Sequence, residues 1–258
     1  VRDAEGYTFM GWSTKPMQSV SPQYEAEEKI TVNGNVDLYA VVFNRTTETD
    51  LTEDQLPQVD IYKYKQVIFV GDSRTEFMEN VLTGMGESAT KNVKFVCSAG
   101  KGLDWFTTTG WAQLYSIVQH DSNSILSKKT AVIFNFGVND LSKSADYAEY
   151  YNWIAPQLKS KGCELYFMSV NPVNRLMLPN AGRADRSEAA VRSFNQYMKA
   201  NLSSAYTYID MYSYLKSTGY SFASDHYGTG TVDDGLHYTT RTYKRIFAKC
   251  MDSLRVPA

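Results

Sequence analysis

The sequence is short of the features that mark several protein classes. Its three cysteines, Cys97, Cys163 and Cys250, are an odd number and cannot all pair within the chain. Two fall in predicted strands and the third on the last predicted helix, so a disulfide framework is not expected and the thiols read as small buried apolar side chains. No apolar run approaches the roughly 20 residues that a membrane-spanning helix needs, so the chain is not expected to be membrane-embedded. An excess of one charge is missing too: 26 Lys and Arg stand against 28 Asp and Glu, a net charge of −2, and the basic residues are scattered. That pattern argues against nucleic acid as a partner. Neither HExxH nor CxxC spacing occurs, and the one gathering of metal-type donors is Asp225, His226, Asp233, Asp234 and His237. A metal there would leave the other motifs unexplained, so no metal or organic cofactor is expected. The chain opens at Val1 without an initiator methionine or a secretory apolar segment, as a processed chain or a piece of a longer one would.

What is present suits one sizeable core, since 43% of the 258 residues are hydrophobic. Apolar, β-branched and aromatic runs predict strands over 66–70, 93–97, 130–136, 164–170 and 207–210. Helical spacing predicts helices over 75–82, 111–120, 146–161, 186–202 and 240–254. Alternation of this kind implies a mainly parallel sheet covered on both faces, with ligands meeting the carboxyl ends of its strands.

Two short motifs at opposite ends of this region carry chemistry. Gly71-Asp72-Ser73-Arg74 directly follows the first of these strands, and Asp234-Gly235-Leu236-His237 lies near the C-terminus. A serine hydroxyl attacks at neutral pH only if an imidazole takes its proton, and a carboxylate on the other ring nitrogen holds that imidazole in the right tautomer. Ser73, His237 and Asp234 supply those three groups, with Asp233 as a competing carboxylate. A Gly-Asp-Ser turn alone is common. Two further segments follow predicted strands, however: Ser98-Ala99-Gly100-Lys101-Gly102, and Asn135-Phe136-Gly137-Val138-Asn139-Asp140. His120 reads as the end of a solvated helix and His226 as a loop histidine.

In this order, GDS, a glycine turn, GxND and DxxH resemble the SGNH or GDSL hydrolase family of esterases and lipases, over roughly residues 64–254. The resemblance implies a three-layer α/β/α, flavodoxin-like domain with a mainly parallel five-stranded sheet. It selects Asp234 by the DxxH spacing. It also implies an oxyanion hole from the Ser73 N–H, a glycine N–H and the Asn139 side-chain amide. Gly102, which closes the turn before the following helix, is favoured for the glycine role, with Gly100 left open. A helix beginning just after Ser73 would add free N–H groups and a partial positive charge beside the nucleophile.

Other residues near these loops have two readings each. Arg74 would meet an anionic substrate group or cap local structure. The 171–185 segment, with Asn171, Pro172, Arg175, Pro179 and Arg183, has no helical period and follows the fourth of these strands, where loops select substrates. Asn171 and Arg175 are therefore candidate substrate contacts. Trp105, Phe106 and Trp111 would form either a sugar-stacking wall or core.

Residues 1–43 differ in character. Gly6-Tyr7-Thr8-Phe9-Met10-Gly11-Trp12 and Leu38-Tyr39-Ala40-Val41, with an Asn33-Gly34 turn between them, alternate as β-strands do. They resemble the Listeria–Bacteroides β repeat of bacterial surface proteins, a small β-grasp-like unit, although Val42-Phe43 departs from its usual tryptophan ending. The resemblance implies a secreted or cell-surface protein, of Gram-positive type, with the repeat either a spacer or an interaction module. The polar, acidic stretch within 44–63 reads as a linker, leaving 64–258 as the hydrolase domain. The expectation is a secreted serine esterase acting on small acyl groups, with acetyl esters of a polysaccharide or cell-wall glycan as the substrate. An acyltransferase on the same scaffold and a glycan-binding module with an inactive hydrolase domain are the alternatives.

Overall fold

The computed structural model describes residues 6–16, 21–60, 63–121, 129–175, 177–178, 186–223 and 234–254. Strands β1 (Tyr7–Ser13) and β2 (Tyr39–Asn44) pair antiparallel. Then come β3 (Tyr64–Gly71), α1 (Ser73–Met85), β4 (Val93–Cys97), the single turn α2 (Leu103–Trp105) and α3 (Trp111–Asp121). After them follow β5 (Lys129–Asn135), α4 (Ser144–Ser160), β6 (Cys163–Met168), α5 (Glu188–Asn201) and β7 (Tyr206–Ile209). The described chain finishes with α6 (Met211–Thr218), the short strands β8 (Phe222–Ala223) and β9 (His237–Tyr238), and α7 (Thr240–Ser253).

Strands β4-β3-β5-β6-β7 form one parallel sheet of five, flanked by helices. In β3, Val67, Ile68, Phe69 and Val70 are all fully buried, as a central strand covered on both faces requires. Alternate side chains serve opposite layers. Ile68 and Val70 join Leu114 and Val118 of α3 and Tyr151 and Ile154 of α4, whereas Val67 and Phe69 join Phe77 and Val81 of α1 and Phe247 of α7. Each layer therefore locks one face of the strand that delivers Ser73.

The two short strands and α6 fall outside what hydrophobic period can show. Two-residue strands have no period, and α6 starts on a local cap, the Asp210 carboxylate accepting the Ser213 N–H at 3.1 Å.

The N-terminal hairpin does not stand apart. Met10, Val41 and Phe43 belong to the same buried cluster as α1 and α7. The Lys216 ammonium, itself buried, donates to the Met10 carbonyl and pairs with Glu25 at 2.8 Å. The stretch read as a linker is docked likewise: buried Glu48 accepts from Ser221 Oγ at 2.7 Å, from Arg245 Nη1 at 3.0 Å and from the Thr242 hydroxyl. A polar, acidic composition gave no sign of this, because the Glu48 partners lie about α7, far along the chain. Cys97, Cys163 and Cys250 form no disulfide among the described residues. Among the described residues no helix is long and apolar enough to cross a membrane.

Candidate active site

Strand order creates the site. The chain leaves β3 for β4 on one side and then crosses to β5 on the other, so the loops after these three neighbouring strands splay apart at their carboxyl ends. Ser73 follows the middle strand, the 98–102 turn follows β4 and the 135–140 turn follows β5.

Ser73 is the first residue of α1. Asp72 caps that helix, its carboxylate accepting the Arg74 N–H at 3.0 Å and its carbonyl accepting the Thr75 and Glu76 N–H groups. The Ser73 N–H has no acceptor among the described residues, as the first N–H of a helix should not. Asp72 is enclosed, and burial pushes its carboxyl up to about 6 against the lowering pull of the Arg74 charge and N–H and of Arg186.

His237 lies on β9, which pairs with β8 through Ala223. Its Nε2 stands 2.9 Å from Ser73 Oγ, and its Nδ1 stands 2.5 Å from Asp234 Oδ2. A carboxylate at Nδ1 fixes the proton there and leaves Nε2 free to accept from the serine hydroxyl. The other Asp234 oxygen accepts the N–H groups of Leu236 and His237, both at 2.7 Å. Burial alone would raise the Asp234 carboxyl, but its bonds to the His237 side chain, the imidazole charge and these N–H groups hold it below the usual carboxylate range. The Phe77 ring lies over the imidazole, centroids 4.3 Å apart. Between Asp234 and Leu236, Gly235 has φ +71°, and any side chain there would run into the Asn174 carbonyl. The Asn174 N–H returns a hydrogen bond to the Gly235 carbonyl at 2.8 Å.

Asn139 is pinned at both ends of its amide. Nδ2 donates to the Lys101 carbonyl at 2.7 Å, and Oδ1 accepts from Arg186 Nη2 at 2.7 Å. One Nδ2 hydrogen remains uncommitted among the described residues. Gly102 sits against the neighbouring Asp140, whose carboxylate occupies the space a side chain at position 102 would need. That carboxylate accepts the Leu103 N–H at 2.9 Å and the Tyr147 hydroxyl at 2.7 Å, and the Gly102 N–H has no acceptor among the described residues. Gly100, by contrast, is exposed, with φ +71° and open space around it. The structure thus brings Gly102, and not Gly100, against the Asn139–Asp140 turn.

Two candidate substrate contacts need correction. Arg74 is 2% exposed, and its guanidinium is spent on three carbonyls: Nε on Leu236 at 3.0 Å, Nη1 on Asn171 at 2.9 Å and Nη2 on Pro172 at 2.7 Å. It stacks on the Tyr238 ring besides, 5.1 Å from the centroid. A side chain so enclosed cannot meet an anionic substrate group; it ties the start of α1 to the segments on either side of it. Asn171 is 1% exposed and gives its carbonyl to that clamp, so it too lies beneath the surface. Among the aromatics, Phe106 is fully buried against Phe134 and Phe136, Trp105 packs on Phe136, and Trp111 packs on Tyr115. Phe106 is core, not wall. Pro179, Arg183, Asp225, His226 and Asp233 lie outside the described residues; among those that are described, no group of three or more His, Cys, Asp or Glu side chains could hold a metal. Arg186 was visible in the sequence only as a helix start, and nothing in its neighbours along the chain pointed to Asn139, 47 positions away.

Residues 67–250 match the family model described as GDSL-like Lipase/Acylhydrolase. Solved structures share the fold. A protein of Bacteroides fragilis NCTC 9343 assigned as an acylhydrolase is 15% identical, with 78% of this chain and 92% of that one covered and a TM-score of 0.51. A protein of Slackia heliotrinireducens assigned as an SGNH hydrolase is 12% identical, with 75% and 100% covered and a TM-score of 0.52. Identities this low speak to fold alone. Among curated proteins no sequence matches the chain.

Proposed function

Because this chain belongs to the GDSL-like lipase/acylhydrolase family and is an SGNH-type ester hydrolase, we propose that it works through a covalent acyl-serine at Ser73. The observation that carries this reading is the unbroken line from Ser73 Oγ to His237 Nε2 at 2.9 Å and from His237 Nδ1 to Asp234 at 2.5 Å. His237 takes the Ser73 proton as Oγ attacks the ester carbonyl. The oxygen of the tetrahedral intermediate gathers negative charge between the Ser73 N–H, the Gly102 N–H and the free Nδ2 hydrogen of Asn139. His237 then gives the proton to the leaving alkoxide, Asp234 steadying the imidazolium throughout. Water activated by the same imidazole releases the acid and restores Ser73. No step in this sequence calls on a metal or an organic cofactor.

The substrate class is part of the same proposal: a small acyl group, acetyl above all, on a polysaccharide or cell-wall glycan, met outside the cell. The resemblance of residues 1–43 to a bacterial surface-protein repeat supports that setting, with the repeat placing the enzyme at the wall or surface. A panel of 4-nitrophenyl acetate, longer 4-nitrophenyl esters, acetylated xylan and acetylated peptidoglycan tests it. Acetate release from a glycan, lost in Ser73→Ala, is expected; turnover confined to long-chain esters would overturn the substrate class. Including a free glycan acceptor in the same assay separates hydrolysis from acyl transfer by the product formed.

A further inference from the structure

The amide of Asn139 meets two groups of opposite character. At Oδ1 stands an Arg186 N–H, 2.7 Å away, and at Nδ2 stands the Lys101 carbonyl, also 2.7 Å away. Rotated by half a turn, the amide would face the guanidinium with its NH₂ and the carbonyl with its oxygen, setting donor against donor and acceptor against acceptor. The pair of partners therefore permits one orientation, the one in which the remaining Nδ2 hydrogen is free. A cation at Oδ1 also draws electron density from the amide, and a hydrogen bond made by a polarised donor is stronger than one from an isolated amide.

Arg186 can hold this position because its backbone leads into a fixed helix start. Ser187 caps α5, its Oγ accepting the Ala190 N–H at 3.1 Å. α5 in turn packs on the β6 end, where Asn195 exchanges hydrogen bonds with both backbone groups of Val170, at 2.7 and 2.8 Å.

We propose that Arg186 is a positioning residue for catalysis: it orients and polarises the Asn139 amide so that its free N–H is a preformed donor to the oxyanion. This rests on the reading of Asn139 as an oxyanion donor. Arg186 bonds to Asn139 and also lowers the Asp72 carboxyl electrostatically, so the proposal requires that its effect on turnover depend on Asn139.

That dependence is what a double-mutant cycle reads. With 4-nitrophenyl acetate, kcat and KM are measured for the parent enzyme, Arg186→Met, Arg186→Lys, Asn139→Ala and the Asn139→Ala/Arg186→Met pair. Arg186→Met should lower kcat roughly tenfold with KM within about twofold, because only the transition state carries the charge that the donor meets. Arg186→Lys should recover most of kcat, since an ammonium can donate to Oδ1. On the Asn139→Ala background Arg186→Met should cost nothing further in kcat. An equal loss on both backgrounds, or a loss carried in KM, would overturn the proposal. Should Arg186→Met fail to fold by circular dichroism, Arg186→Gln replaces it in the same cycle. An Asn139→Ala enzyme with full kcat is a different failure, that of the oxyanion reading itself, and is told apart by that single variant.

Discussion

The two arms of the site are held by different means. The nucleophile arm is built from regular structure: β3 is buried on both faces, and Ser73 opens a helix of 13 residues. The base arm rests on β9, two residues long and paired with another strand of two. What β9 lacks in regular hydrogen bonding is supplied by side chains and turns. Arg74 reaches from the nucleophile arm to the Leu236 carbonyl, one residue before His237. Asp234 accepts two N–H groups of its own segment, and Asn174 braces Gly235. The sheet thus positions the serine, and a few polar contacts bring the imidazole to it.

Removing the reacting group from either arm should have the largest effect. Ser73→Ala and His237→Ala should each lower kcat/KM for 4-nitrophenyl acetate by roughly 10⁴-fold or more with an unchanged circular dichroism spectrum. Undiminished turnover in either would break the comparison at its root, since there would be no two arms to join.

Asn139→Ala, on the β5 side of the nucleophile, should cost roughly 10²–10³ in kcat with little change in KM. A loss confined to KM would move Asn139 from transition-state stabilisation to substrate binding.

The clamp between the arms comes next. Arg74→Met leaves three carbonyls without their donor and should lower kcat up to about 10²-fold through misplacement of His237. It should also lower stability by several kcal/mol, since each buried carbonyl left without a donor costs about 1–3 kcal/mol. Arg74→Lys, able to serve only some of the three carbonyls, should fall between. Stability lost with kcat intact would mean that the clamp holds the fold and not the register of the arms.

The smallest effect on turnover should come from Asp72→Asn, which keeps an acceptor at the helix cap. Burial pushes the Asp72 carboxyl from 3.8 up to about 6, so the native state holds this proton more tightly than the unfolded chain. Its contribution to stability is whole below about pH 4 and is lost as the pH rises through about 6. The variant escapes that loss, and its unfolding free energy relative to the parent should therefore rise by roughly 2–3 kcal/mol from pH 4 to pH 8. Parallel stability curves would mean that Asp72 is not isolated from solvent as it stands in the structure.

The same contrast explains what the sequence disclosed. Strands over 130–136 and 164–170 and helices over 111–120 and 240–254 were legible because a covered sheet imposes continuous apolar runs and its helices an apolar stripe. Ser73, the 98–102 turn and Asn139 stood out because they follow the strands over 66–70, 93–97 and 130–136. α6 went unseen because its eight residues make little more than two turns, too few for the spacing of Met211, Tyr212 and Leu215 to stand out. Gly235 needed its positive φ, and Arg74 and Arg186 their partners, to be interpreted. Arg74 is beside the nucleophile in sequence, yet the carbonyls that define it lie 97 and more positions away. The buried Glu48 cluster escaped for the same reason. Contacts made through carbonyls and amides across the chain leave no trace in residue spacing.

Labelling with a fluorophosphonate, followed by intact-mass and peptide mass spectrometry, tests the joining of the two arms most directly, because only a serine made nucleophilic by its base displaces fluoride from phosphorus at a useful rate. One adduct per chain, located on Ser73 and almost abolished in His237→Ala, is the expected result. An adduct on another residue, or a Ser73 adduct that forms as fast without the imidazole, would contradict the account.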